Sequence, residues 1–134
     1  MSITYTIEPD LPAAEYIEVL NKSGLGVRRP VNDPGRIQRM IDCAGIVLCA
    51  RDDGKLVGAA RSITDFSYCC YLSDLAVDKE YQGRGIGREL IARTQEVIGE
   101  ESMLLLLEAP TARGYYRQVG FEAVDNAWIL RRKR

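Results

Sequence analysis

The segment Gln82-Gly83-Arg84-Gly85-Ile86-Gly87 sets three glycines at alternate positions. Without a Cβ, glycine lets its amides come close to a ligand and turns through conformations closed to other residues. The run Tyr71 to Val77 ahead of it reads as a strand, and the run behind it reads as a helix. The first N–H groups of a helix have no partner within it and carry a partial positive charge. Glycine loop and helix start together make a phosphate cradle. A plain strand-to-helix turn uses the same residues, so the rest of the chain must decide. A Walker loop is excluded because Arg88-Glu89, not Lys-Ser or Lys-Thr, follows Gly87. A dinucleotide fingerprint starting at Gly83 and Gly85 wants glycine or alanine where Arg88 stands, although Glu108 lies at a suitable distance downstream.

Other chemistries lack their residues. The chain has no histidine, so a Ser or Cys nucleophile lacks its usual base and a zinc site its commonest nitrogen ligand. Cys43, Cys49, Cys69 and Cys70 contain no CxxC pair; no metal is expected, and Cys49 and Cys69-Cys70 sit in apolar runs as core thiols. A net charge of −1 argues against a general affinity for nucleic acid. The basic run Arg131-Arg132-Lys133-Arg134 reads as a solvated end. No apolar stretch nears the about 18 residues that cross a membrane. The first ten residues lack the basic and apolar regions of a signal peptide, so a cytoplasmic location is the default.

The elements that must position the loop follow from patterning. With 134 residues, one domain spanning 1–134 is expected. Ile3 to Ile7 alternates as a half-buried strand. Pro12 opens a helix whose apolar face is Ala14, Ile17, Val19 and Leu20, and Asp33-Pro34 opens a second carrying Ile37, Met40 and Ile41. Ile46 to Ala50, Leu56 to Thr64 and Tyr68 to Val77 read as three consecutive antiparallel strands, the first two joined by the turn Asp52-Asp53-Gly54-Lys55. Ile86, Leu90, Ile91, Thr94 and Val97 mark an amphipathic helix closed by Gly99. Met103 to Leu107 reads as a buried strand, Thr111 to Gln118 as a short helix, and Phe121 to Ala123 and Ala127 to Leu130 as final strands.

A second constellation, Ala112-Arg113-Gly114-Tyr115-Tyr116-Arg117-Gln118-Val119-Gly120-Phe121, lies downstream of the loop. Together with Asp74-Leu75-Ala76-Val77-Asp78 and the loop itself, it resembles the GNAT family of N-acetyltransferases. That family's loop runs Gln or Arg, two residues, Gly, one residue, then Gly or Ala, and Gln82 to Gly87 satisfies every position. The resemblance extends from about Lys55 to Phe121 and fades before Gly45, where the family varies with substrate. It implies an α/β fold with a mixed, mainly antiparallel sheet of six to seven strands, splayed at the fourth and fifth and flanked by some four helices.

The implied activity is transfer of acetyl from acetyl-CoA directly to a primary amine of a small molecule or protein. Backbone groups of Gly83, Arg84, Gly85, Ile86, Gly87 and Arg88, after Gln82, would hold the pyrophosphate, and Leu75, Ala76 and Val77 would pair with the pantetheine arm. Tyr116 takes the family's acid position: with an ordinary pKa of about 10 it stays protonated at neutral pH and can donate to the departing CoA sulfur. Tyr115 is expected in the core. The incoming amine must lose a proton, and Asp74 and Glu108, each near a strand end, are the candidate bases acting through water. Simple alternation puts Tyr71, Ser73 and Leu75 on one face and Leu72, Asp74 and Ala76 on the other, so Ser73 and Asp74 share a site only across a bulge. Two departures stand out. Tyr71 occupies a position where some relatives carry glutamate, and Ala109 one where the family often has asparagine. Arg28 and Arg29 read as a solvated loop within reach of an anionic acceptor. A non-catalytic acyl-CoA-binding module, a small dinucleotide-binding domain and a homodimer remain open on these residues.

Overall fold

The computed structural model describes residues 2–112 and 114–134. Its sheet holds β1 (Ile3–Ile7), β2 (Ile46–Asp52), β3 (Lys55–Thr64), β4 (Cys69–Val77) and β5 (Met103–Leu105), side by side in chain order. The first four pair antiparallel and β5 runs parallel to β4. A parallel neighbour requires a crossover. α3 (Ile86–Ile98) supplies it.

The β2 run Ile46 to Ala50 is buried throughout because both faces of the sheet are covered there. Val47 and Cys49 join Ala59 and Ala76 under α1 (Ala13–Ser23) and α2 (Pro34–Asp42), against Tyr16, Val19, Leu20, Ile37 and Ile41. Leu48 and Ala50 join Val57, Ala60 and Leu72 under Ile86, Leu90, Ile91 and Ile98 of α3. The ends are set locally. Gly24 closes α1 in the left-handed region at φ 90°, and the Asp33 carboxylate accepts the Arg36 N–H at 3.1 Å to cap α2, with Pro34 in the first turn. Asp53 and Gly54, both at positive φ, form the two-residue turn between β2 and β3.

The four antiparallel strands, α1, α2 and α3 stand where the patterning puts them. The sheet nevertheless has five strands among the described residues, not six to seven. Met103 to Leu107 pairs only as far as Leu105, and the expected helix Thr111 to Gln118 is a 3-10 turn at Pro110–Ala112 followed by α4 (Tyr115–Gln118). Arg113 lies outside the described residues. Phe121 to Ala123 and Ala127 to Leu130 form no strand, and residues 122–134 are exposed throughout. A strand exists only where a neighbour takes its backbone hydrogen bonds. Among the described residues that stretch pairs with no strand.

Candidate active site

The β3–β4 register shifts after Arg61, which pairs with Asp74, while the next residue, Ser62, pairs with Leu72. Ser73 is therefore an extra residue, a bulge, and it breaks the alternation expected for β4. On the near side of the bulge Cys70 and Leu72 face α3; beyond it Leu75 and Val77 do so, while Ala76 turns to α1 and α2. Asp74 turns with Ala76. The bulge thus brings Ser73 and Asp74 to one place.

Asp74 is fully buried and accepts hydrogen bonds from Tyr16 Oη at 2.6 Å, Arg29 Nε at 2.6 Å and Arg61 Nε at 2.6 Å. Arg61 Nη2 also donates to Ser73 Oγ at 3.0 Å, and Arg29 Nη2 donates to the Ser73 carbonyl at 2.7 Å. Burial alone would raise the Asp74 pKa, but the Arg61 bond, the charges of Arg61 and Arg29 and the Tyr16 bond outweigh it and hold the carboxyl below its usual value. The same burial, with Asp74 beside it, pushes the Tyr16 hydroxyl well above its usual value. This network ties α1 and the loop after it to the middle of β4.

Beyond Tyr71 the strands part. β5 pairs with Cys69, Cys70 and Tyr71 only, so the edge of β4 from Leu72 to Val77 faces an opening instead of a neighbour. At the far end of that edge lies the glycine loop. Gly83 and Gly85 have φ of 80° and 83°, in the left-handed region, and a Cβ on either would meet nothing within 4 Å. Their backbone is held open toward space, and α3 starts at Ile86 without a side-chain cap; a backbone bond runs from the Glu89 N–H to the Gly85 carbonyl at 3.0 Å. The amides of 86, 87 and 88 are thus left by helix geometry for an external acceptor. Gln82 Nε2 donates to the Val77 carbonyl at 3.0 Å, pinning the loop to the strand end. Tyr81 Oη donates to Asp52 at 2.7 Å, and the Arg84 guanidinium lies 5.0 Å from the Tyr81 ring centre.

α4 packs the tyrosine pair against the core beneath α3. Tyr115 Oη lies 2.7 Å from where a Cβ on Gly87 would stand, so α4 packs against the first turn of α3. Tyr115 is half-buried at this joint rather than sealed in the core. Tyr116 meets Tyr115 edge-on at 5.2 Å and Phe121 edge-on at 5.6 Å, which fixes its ring. Its hydroxyl carries no hydrogen bond among the described residues. Burial raises the Tyr116 pKa, the neighbouring Tyr115 and Glu108 raise it further, and the Arg29 charge pulls it down. Glu108 is exposed and accepts the Gly114 N–H at 3.1 Å at the start of α4.

Of the sequence-predicted residues, Leu75, Ala76 and Val77 lie on the part of β4 that β5 does not pair, Gln82 to Arg88 on the loop and helix start that follow it, Tyr116 on α4 with Glu108 bonded to the start of that helix, and Asp74 buried on β4. The residues 44–123, more than half of the chain, match the Acetyltransferase (GNAT) domain family. The chain belongs to that family. It is 29% identical over 75 residues to GCN5-related N-acetyltransferase 2, chloroplastic, of Arabidopsis thaliana, a match covering 54% of this chain and 29% of that protein. Its fold is shared with a probable acetyltransferase of unknown function from meticillin-resistant Staphylococcus aureus (TM-score 0.83, 19% identity, 99% of this chain and 100% of that one). It is also shared with AAC(6')-Iy, solved with a bisubstrate analog of CoA and acetylneamine (TM-score 0.74, 14% identity, 100% of both chains). The matched region spans about three-tenths of the length of the Arabidopsis relative.

In this GNAT domain the buried partners of Asp74 escaped the sequence reading. Arg61 carried a usable signal, since a lone arginine inside the apolar strand Leu56 to Ile63 demands a buried counter-charge. Tyr16, on the apolar face of α1, carried none.

Proposed function

We propose that this domain is an acetyl-CoA-dependent N-acetyltransferase that moves acetyl directly to a primary amine, with Tyr116 as the general acid. The observation that carries the reading is the Tyr116 hydroxyl. It is unbonded among the described residues, kept protonated by burial, and its ring is held edge-on by Tyr115, whose own hydroxyl reaches Gly87 at the start of α3. The cradle fits a diphosphate: Gly83 and Gly85 leave room at the α3 start, and the unpaired edge Leu75 to Val77 offers backbone groups to the amides of the pantetheine arm. The amine nitrogen forms its bond to the acetyl carbon as the carbon–sulfur bond breaks, the Tyr116 proton passes to the sulfur, and the extra proton left on the new amide nitrogen returns to the Tyr116 phenolate.

The two carboxylates divide the remaining tasks. Asp74 already accepts from Tyr16, Arg29 and Arg61, so its role is to fix Arg29 and the bulge at the opening. Glu108, exposed beside Tyr116, takes the ammonium proton through water.

Replacing Tyr116 by Phe keeps the ring packing and removes the proton. A fall in kcat of about a hundredfold or more is expected, with acetyl-CoA affinity retained. Unchanged turnover in Tyr116→Phe would remove the acid role. Binding of acetyl-CoA without thiol release across a broad amine panel would replace the enzyme by a binding module.

A further inference from the structure

We propose that Arg29 selects the acceptor by its carboxylate, and that the acceptor is a free α-amino acid with an apolar side chain. This acceptor class rests on the acetyl-transfer reading above. Asp74 is one carboxylate between two guanidinium groups, Arg29 at 2.6 Å and Arg61 at 2.6 Å, and Tyr16 beside it stays protonated, so the cluster keeps one positive charge. No other carboxylate pairs with either arginine among the described residues. The side chains of Asp74 and Arg61 are sealed at 0% and 7% exposure, whereas that of Arg29 is 20% exposed, so the excess charge reaches the surface through Arg29. A charge held this far from water favours an anion as its partner.

Arg29 also has donors left. Nε is taken by Asp74 at 2.6 Å, Nη1 donates to the Arg28 carbonyl at 2.8 Å and Nη2 to the Ser73 carbonyl at 2.7 Å. Among the described residues one N–H then remains on each terminal nitrogen, and the three bonds hold the guanidinium in place for a carboxylate. Arg28, by contrast, is exposed and contributes only its carbonyl. The place of Arg29 sets how near the anion lies to the chemistry. A pantetheine arm running along β4 from the loop after Val77 carries its thioester toward the bulge at Ser73, whose carbonyl Arg29 holds. The Arg29 charge is felt at Tyr116 as well, whose pKa it pulls down. An anion on Arg29 therefore lies next to the amine under attack, as the carboxylate of an α-amino acid does.

The side chain has an apolar floor to lie on. Cys70, Leu72 and Leu104 pack toward α3, which turns Tyr71 and Leu105 to the opposite face of the sheet, the face that Asp74 and Arg29 share. Ile63, three residues after the α3-facing Ala60, turns the same way. The register sets these side by side, Leu105 next to Tyr71 and Tyr71 next to Ile63, at 38%, 37% and 45% exposure, and Tyr71 stands two residues from Ser73. Such a row shelters a hydrocarbon or aromatic group and offers no counter-charge to a polycationic amine, which Arg29 repels. Acetyl transfer at this site breaks the thioester carbon–sulfur bond and forms the amide bond, giving an N-acetyl amino acid, the CoA thiol and the one proton released from the ammonium group.

Thiol release from acetyl-CoA by the full chain is measured with phenylalanine, leucine, aspartate, phenylalaninamide, 2-phenylethylamine and spermidine. Phenylalanine or leucine is expected to exceed the amide, the decarboxylated amine and spermidine by about a hundredfold or more in kcat/KM, and aspartate by about tenfold. Arg29→Gln removes most of the preference for phenylalanine over its amide, by loss on the acid and not by gain on the amide. This comparison of acid with amide is read on the unaltered chain too, so it stands even where Arg29→Gln fails to fold. Equal turnover of acid and amide, a preference that survives Arg29→Gln, or no advantage over aspartate overturns the proposal. Faster thiol release with 2-phenylethylamine or spermidine overturns it while leaving the acetyltransferase reading intact. Binding of acetyl-CoA with no thiol release from any amine defeats the transfer reading itself, and the acceptor class falls with it.

Discussion

Asp74 shows how one residue can be spent before any substrate arrives. Tyr16, Arg29 and Arg61 all donate to a carboxylate with no exposed surface, two of them charged. Removing one partner of such a cluster costs far more than the cluster adds over an apolar core, because the remaining charges are left buried and uncompensated. Asp74→Asn, nearly the same size, is therefore expected to lose about 3–5 kcal/mol of stability by urea unfolding. A loss under about 1 kcal/mol would mean that the arginines find water or each other's carbonyls instead. The sequence showed Asp74 near a strand end and offered it as a candidate base. What it did not show was the bulge at Ser73, because an inserted residue is invisible to a period-two pattern until the partner strand is known.

The joint between α3 and α4 is set by elements rather than by one side chain. Position 87 has no room for a Cβ, because Tyr115 Oη would lie 2.7 Å from it, with the ring carbon Cζ at 3.6 Å. Gly87→Ala should cost about 1–3 kcal/mol by overpacking, and should displace Tyr115 against Tyr116. In a Tyr115→Phe background the offending oxygen is gone and the carbon contact is ordinary, so the same alanine should be neutral or stabilising by up to about 1 kcal/mol through its helix propensity. A double-mutant cycle in chemical denaturation measures this coupling. Additive effects would show that Tyr115 swings aside freely. This contact crosses two motifs that the sequence reading recognised separately, the glycine loop and the tyrosine pair. Their spacing announced a shared site, but contact between their side chains is a product of the fold.

At the scale of the molecule, β1 to β4 and α1 to α3 were legible because each carries its own period and its own stops, such as Asp53-Gly54 and Asp33-Pro34. Residues 121–123 and 127–130 were read as strands for the same local reasons, yet pairing is a property of two partners and cannot be read from one run. The charge distribution yields a simpler expectation. No histidine is present, so no side chain has an ordinary pKa between about 5 and 8. Among the described residues five carboxyls titrate below their usual values: Glu8 through its Arg51 bond, Glu18 through its Lys22 bond, Asp52 through its Tyr81 bond, Asp65, pulled down to about 2 by the N–H groups of Ser67, Tyr68 and Cys69, and Asp74, held by its arginines against the opposing effect of burial. A carboxyl whose folded pKa is depressed contributes stability that is fully present above its unfolded value of about 4 and is lost as pH falls through the folded value. Unfolding free energy should therefore stay level from about pH 8 to about pH 5, then fall steeply between about pH 4 and pH 2 as protons bind the unfolded chain first. Urea titrations at fixed protein concentration across that range test it, with concentration held constant because association would add its own stabilisation. A decline already under way between pH 7 and pH 5 would require a titrating group other than these carboxyls. Asp74→Asn should flatten the acid limb in proportion to its share, which separates the buried network from the surface pairs.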